Sequence, residues 1–405
     1  MIIKIEKYLI CIFIIYLLWF KEAYINIPLI LYGTVFLGSA LFFLDLIIVH
    51  KRIKLSNNSM LIKMFFLYGI ISLITGTYIC TDTKVFVKGL FTYFSFLTVC
   101  FLMDYVSAEI KNYNWILKCL LVVAVICSLQ VLFFPYAYYN GVIVTTMGMD
   151  NNPNSLGLVM CAGIFSVFIL VLKKEIPLNL CILSIAFLFL YVIVLTGSRK
   201  CLFAGFVTLL MLLFNFIKIQ IKDKKEKVKM IVVVLLGIVI LILCRKYLLN
   251  NYLNTSSFIR VKNLFESHQT NIRLKLYYDA LEFLERNIFF GIGFNQYLVL
   301  SPYKIYSHSS YAEILSCTGL VGTVIFFTPF LILIVKLIKF CFIKKNTFGR
   351  IYEGIFFILL VELFLGMGQI FIYEFLHMIL LTYIFGEVKM TERRRKKYGN
   401  KKKNR

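Results

Sequence analysis

Charged residues are few in this chain: 16% of 405, against 60% hydrophobic. A soluble protein of that length would be two or three domains wrapped in polar surface, and so little charge excludes that class. Acidic residues are the scarcer sign, 20 against 44 lysines and arginines, for a formal charge of +24. Such an excess suits nucleic acid, yet no aromatic-basic platform for bases lies outside the hydrophobic segments. The positive charges sit instead in alternate short loops and in the tail Glu392–Arg405. That pattern orients a chain in a bilayer and meets anionic headgroups. Eleven cysteines are present, but there is no Cys-x-x-Cys pair and no Cys/His spacing of a metal site. Cys11, Cys100, Cys127, Cys161, Cys181 and Cys201 fall singly in apolar runs, as small core residues do. The carboxylates of the expected outer face form no Asp-x-Asp or other paired pattern for a divalent cation. Neither a metal nor a cofactor is expected.

What is there is a succession of apolar runs, each long enough to cross a bilayer core of roughly 30 Å. The expected fold is an all-α polytopic membrane protein with 12 spans. They lie at 3–20, 25–49, 61–80, 85–103, 115–134, 154–172, 178–196, 200–217, 229–244, 311–340, 351–367 and 370–388. The first run lacks a small-residue cleavage site and is read as a retained span. Basic loops place both termini in the cytoplasm of a multi-pass plasma-membrane protein. Residues 1–388 form one integral membrane domain, 245–310 a large helical extracytoplasmic loop between spans 9 and 10, and 389–405 a basic cytoplasmic tail. Gly366-Met367-Gly368 reads either as a turn between the last two spans or as a flexible point in one long helix.

The longest informative stretch is Asn271 to Thr323. An amphipathic helix is predicted from about Asn271 to Ile288, with Leu276, Tyr277, Ala280, Leu281, Leu284 and Ile288 on one face. Lys275, Asp279, Glu282 and Arg286 take the other, and Arg273 projects from the middle of the apolar face. A guanidinium there either snorkels to an edge or is held inward for an anion. A Gly291-Ile292-Gly293 turn follows, then His308, then Ser310-Tyr311-Ala312-Glu313 as a capping box for the tenth span. Two other outer-face helix starts join it. Asn152 is an N-cap before Pro153 and Asn154, and Ser198 is an N-cap in Thr196-Gly197-Ser198-Arg199-Lys200. Helix N-termini receive phosphate and other anions. With Arg199, Arg260 and Arg273 they make this side a credible diphosphate receptor.

The series Asn152-Pro153-Asn154, Thr196-Gly197-Ser198-Arg199, Arg273 before Gly291-Ile292-Gly293, and His308-Ser309-Ser310-Tyr311 before Gly319-Leu320-Val321-Gly322 resembles the O-antigen polymerase/ligase superfamily. Ser309 stands where that family usually has Asn. The resemblance implies a glycosyltransferase C-like membrane enzyme that works without a metal. Its donor is a glycan on undecaprenyl diphosphate, at the outer face of the plasma membrane. Arg199 and Arg273 would hold the diphosphate and His308 would sit at the reaction centre. Arg260 is a further candidate cation, and Tyr311 either packs on sugar or sits in the aromatic belt.

Physical chemistry agrees with those roles. Guanidinium groups and helix N–H groups stabilise the charge that develops on a departing diphosphate oxygen. An imidazole near neutral pKa can take a proton from the acceptor hydroxyl. A composition heavy in Lys, Ile, Phe, Tyr and Asn suits a bacterium without an outer membrane, which favours a capsular or exopolysaccharide polymerase over a ligase. The expected partners are lipid-linked oligosaccharides, membrane lipids, a chain-length regulator and a flippase, with no nucleic acid. The rival outside enzymology is a transporter, for which Glu362 and Glu374 are the candidate intramembrane carboxyls and Asp45 lies near an inner end; they either line a pathway or pair with a nearby arginine or tyrosine hydroxyl. Against it, the spans lack two matching halves with broken helices.

Overall fold

The structure, a computed structural model, describes residues 59–133, 136–139, 142–145, 153–220, 272–343 and 349–403, with scattered helical positions between 7 and 18. The expected spans at 25–49 and 229–244 lie outside the described residues, as do Asp45, Asn152 and Arg260. Ten helices carry the argument. They are α1 (Met60–Ile79), α2 (Thr83–Glu109), α3 (Asn114–Phe133), α4 (Pro153–Leu172), α5 (Leu180–Thr196), α6 (Arg199–Gln220), α7 (Ile272–Arg286), α8 (Ser310–Ile338), α9 (Gly349–Leu365) and α10 (Phe375–Lys403). The described residues are helical but for short connections and an antiparallel hairpin, β1 (Tyr136–Tyr139) on β2 (Val142–Thr145), registered Tyr136 opposite Thr145. The hairpin falls in what the sequence gives as an outer loop. Among the described residues, five stretches are long and apolar enough to cross a membrane: α1, α2, α3, α4 and Ser310–Cys341.

The chain falls into two compact units. One comprises residues 1–18, 23–119 and 270–405, the other 19–22 and 120–269. In the first, α1 and α2 approach closely because Gly69 and Gly76 leave room. A Cβ on Gly76 would stand 2.0 Å from the Phe86 ring, and one on Gly69 would stand 2.8 Å from Phe94. Burial extends through the aromatic rings of Tyr68, Tyr93, Phe294 and Phe326, with centroids 5.2–6.3 Å apart. Helix α2 runs past the expected inner end. Asp104, read from sequence as a loop residue, is instead buried in the helix, accepting from the Ser59 N–H at 2.5 Å and the Tyr113 hydroxyl at 2.7 Å.

At 366–374 the backbone turns, so α9 and α10 are separate helices. Gly366 is required there because Phe371 folds back to within 2.4 Å of where a Cβ would be. Helix α10 then continues to Lys403, so no helix end marks the start of the basic tail.

Candidate functional site

The segment 288–323 is built around a break in α8. Gly319 has φ +62° and ψ −164°, which only glycine adopts without strain. The expected single span 311–340 is therefore two helical pieces, 310–318 and 320–338. Residues sixteen apart in one straight helix would be about 24 Å apart. Instead Tyr311 stacks on Phe327 with centroids 5.3 Å apart, so the first piece folds back beside the second. The second piece is about 28 Å long, close to the thickness of a bilayer core.

A helix break leaves peptide groups without partners, and a buried one must find them elsewhere. Here residues 288–293 supply them. Ile292 N–H donates to Ser316 O and Gly293 N–H to Cys317 O, both at 2.9 Å. Leu320 N–H and Val321 N–H donate back to Ile288 O and Phe289 O at 2.9 and 3.1 Å. The two backbones touch, which accounts for both glycine motifs together. A Cβ on Gly291 (φ +70°) would lie 2.3 Å from Ser316 O, and one on Gly319 would lie 2.4 Å from Phe289 C. Farther along, Gln296 clasps the turn between α1 and α2. Its Oε1 accepts from Thr81 and Asp82 N–H at 3.0 and 2.8 Å, and its Nε2 donates to Asp82 O.

Helix α7 packs on this platform through Leu276, Ala280 and Phe283, against Ile292, Tyr297 and Cys317. The Tyr297 hydroxyl donates to Leu276 O, and its ring meets Phe283 edge-on at 5.4 Å. The buried face is thus turned from the expected one: Phe283 belongs to it, while Leu281 and Ile288 are exposed. The sequence leaves Arg273 on the apolar face, either snorkelling to an edge or held inward, and the structure does not bury it. Arg273 continues the 276–280–283 stripe but lies one turn beyond the packing and is exposed. Tyr277 donates to Met367 O at 3.2 Å, while Ser310 N–H donates to the adjacent Gly366 O at 2.8 Å. The Arg273 end of α7 therefore lies at the His308 end of α8.

His308 is presented by an arch. It is exposed and has φ +55°, while its neighbours Ser307 and Ser309 point in and are buried. Ser307 N–H donates to Glu313 Oε2 at 2.9 Å, and Ser307 Oγ donates to Ser309 O and accepts from Ser309 N–H. The capping box is corrected by one residue. Ser309 is the N-cap, accepting from Ala312 N–H, and Glu313 does not reach back to the cap. Instead Glu313 is fully buried beneath the arch, with Tyr373 Oη at 3.5 Å and Cys317 Sγ at 3.9 Å. Burial, and then the Glu313 carboxylate, push the Tyr306 phenol up to about 12 and raise Tyr373 as well, so both remain protonated donors.

Ser310 is structural. Its Oγ donates to Gln369 O at 2.7 Å and accepts from Phe371 N–H at 2.9 Å. Tyr311 is half-exposed with its hydroxyl on Leu363 O at 2.8 Å. Below them His377 Nδ1 lies 2.5 Å from Glu362 Oε2 and its Nε2 lies 2.9 Å from Gln369 Oε1, with His377 and Glu362 fully buried. The sequence leaves Glu362 to pair with an arginine or a tyrosine, and its partner is this histidine. The signal was an acidic and a basic side chain on either side of the Gly366 turn.

The second unit holds the other helix starts. Helix α4 begins at Pro153, with Asn154 exposed; α5 ends on Gly197 in the left-handed conformation (φ +65°). Ser198 is buried and its carbonyl accepts from Leu202 N–H, the bond expected of the residue before α6. Arg199 opens α6 and is exposed. These starts are neighbours: a Cβ on Gly157 would be 3.1 Å from Cys201 Cβ and 3.2 Å from Ser198 Cβ, and Cys201 Sγ is 3.8 Å from Asn154 O.

Each unit thus brings together its own part of the expected site: Arg273, both glycine motifs and His308 in one, Asn154, Ser198 and Arg199 in the other. Sequence reasoning missed Glu313 beneath the arch and the His377–Glu362 pair. Among known families, the model described as O-antigen ligase matches residues 184–327, from within α5 to past the Gly319 break. The match supports the O-antigen polymerase/ligase superfamily and, at that level, a membrane protein of polysaccharide biosynthesis. No curated protein matches the chain.

Proposed function

We propose, on the premise that residues 184–327 carry an O-antigen ligase family segment, that this chain is a polysaccharide polymerase. It transfers a growing glycan from undecaprenyl diphosphate to a lipid-linked repeat unit at the outer face of the plasma membrane. The observation that supports it most is the arch at 307–309, which holds one exposed imidazole on a backbone fixed by buried groups on both sides. A merely solvated loop histidine needs no buried carboxylate beneath it.

In this reading His308 accepts the proton of the acceptor hydroxyl, whose oxygen attacks the anomeric carbon. The bond from that carbon to the diphosphate oxygen breaks, and its electron pair leaves with the diphosphate. Base assistance of this kind contributes about 10²- to 10⁴-fold. Arg199, beside the α4 and α6 starts, and Arg273 neutralise the leaving group, with Arg260 as a third cation. Asn154 and Ser198 hold those helix starts, and Ser310 and Tyr311 hold the start of α8 against 363–371. No metal or cofactor is assigned a role.

The description of the matched family favours a second reading, transfer of the glycan to a terminal acceptor. Purified protein given lipid-diphosphate repeat units without an ion gradient separates the two. A ladder of products supports polymerisation. One transfer to an added acceptor and no ladder means ligation, and flux without any new glycosidic bond returns the reading to a transporter.

A further inference from the structure

Helix α7 has three faces. Leu276, Ala280 and Phe283 are buried against the rest of their unit. Lys275, Asp279, Glu282 and Arg286, spaced four, three and four apart, form a polar face on which Arg286 pairs with Glu282 at 2.9 Å. The same spacing one residue earlier gives Leu274, Tyr278 and Leu281, and ends on Glu285. Those three apolar side chains are 50%, 64% and 52% exposed. The stripe does not stop with the helix, since Ile288, Phe289 and Phe290 are also exposed.

Three large apolar side chains on the helix, and three more beyond Glu285, exceed the scattered exposure that water tolerates; a contiguous patch of about 300–600 Å² marks a contact surface. Its continuation identifies the contact. Leu320 and Val321 donate to Ile288 O and Phe289 O, so the exposed Ile288 and Phe289 adjoin the exposed Leu320, one turn before Val324. From there the patch follows Leu331, Val335 and Ile338, the exposed apolar side of a candidate span. The polar face carries two positive and two negative side chains, so headgroup charge is not what would hold the helix. Apolar burial is.

We propose that α7 lies along the membrane surface. Its Leu274–Tyr278–Leu281 stripe, with Phe289 and Phe290, is seated among the acyl chains of the leaflet that the second piece of α8 enters. The third face then looks into lipid, the first into protein and the second into water. Arg273, at the end of such a helix, stands at headgroup depth, where a lipid-linked phosphate also lies. The inference does not depend on the polymerase reading.

The test is tryptophan scanning of the full chain in phosphatidylethanolamine/phosphatidylglycerol vesicles. Tyr278→Trp, Leu281→Trp and Glu282→Trp are each made with Trp19→Phe and Trp115→Phe. Brominated phospholipids should quench positions 278 and 281 at least about twofold more than 282, and acrylamide should do the reverse. Equal acrylamide quenching at all three overturns the proposal. So does protection of 278 and 281 from both quenchers, which would mean that protein covers the stripe. Trp115 donates to Ser107, so its replacement can cost folding. The unaltered chain is therefore also photolabelled with a diazirine phospholipid and mapped by peptide mass spectrometry. Adducts on 274–281 and 288–290 support the proposal, and adducts confined to the spans overturn it.

Discussion

Substituting alanine at Gly319 should separate the two backbones that build the site. An alanine held at φ +62°, ψ −164° costs on the order of 1–3 kcal/mol in conformational strain. Its Cβ would also meet Phe289 C and O at 2.4 Å, and backbone cannot rotate away as a side chain can. The contact is relieved only by parting 288–293 from 316–321, and with it the four hydrogen bonds between them. At about 1 kcal/mol net apiece, the total is about 5–7 kcal/mol, as large as the whole stability of many domains. Hydrogen exchange followed by mass spectrometry on detergent-solubilised protein reads this directly. Protection at Ile292, Gly293, Leu320 and Val321 should fall by about 10³-fold or more in Gly319→Ala. Gly205→Ala is the control, because its Cβ meets only the terminal methyls of Ile193, Ile164 and Leu190, the nearest at 2.9 Å. If Gly319→Ala exchanged at those amides as slowly as the unaltered chain, the account of the paired glycine motifs would be wrong.

Three further outcomes are expected. His308→Ala should lower glycan transfer by about 10²-fold or more at unchanged expression and thermal stability; full polymer synthesis by that variant would remove the histidine from the mechanism. Glu313→Ala leaves the buried Ser307 N–H without its acceptor, at about 1–3 kcal/mol. Glu313→Gln keeps a carbonyl oxygen there, so thermal melting and activity should recover in Gln and not in Ala; equal loss in both refutes the arch. Removing either His377 or Glu362 strands a buried polar partner and should cost about 3–5 kcal/mol, whereas leucine at both should cost less than the two singles combined. Strict additivity in a double-mutant cycle would mean that the pair is not coupled.

The helices were legible where their signal is local. Apolar runs near twenty residues read the same whatever packs on them, so the starts of α1, α4, α6 and α7 fall within about two residues of expectation. The Thr196–Lys200 turn was legible because a left-handed glycine followed by serine and a helix is a short-range pattern. The capping box misled by one residue. Two adjacent serines compete for the cap, and Glu313 found a better donor in Ser307 than in the cap backbone. The α7 wheel misled for a related reason. Leucine and phenylalanine are equally apolar, and it is the partners brought by folding, Ile292, Cys317 and the Tyr297 ring, that make Phe283 an inward residue.

By itself, then, the order of residues determined a membrane-spanning helical chain, the positions of most described helices and the family to which the 184–327 segment is similar. Tertiary structure decided three things that no local pattern contains. The tenth apolar run is two pieces, because 288–293 can satisfy the peptide groups that a break at Gly319 frees. His308 is held out while Ser307 and Ser309 are held in, because a carboxylate six residues from Ser307 is buried beneath them. Glu362 is matched by a histidine fifteen residues away across a turn. Each depends on a partner brought near by folding, and burial makes that partner compulsory, since a polar group out of water costs more unpaired than its hydrogen bond contributes.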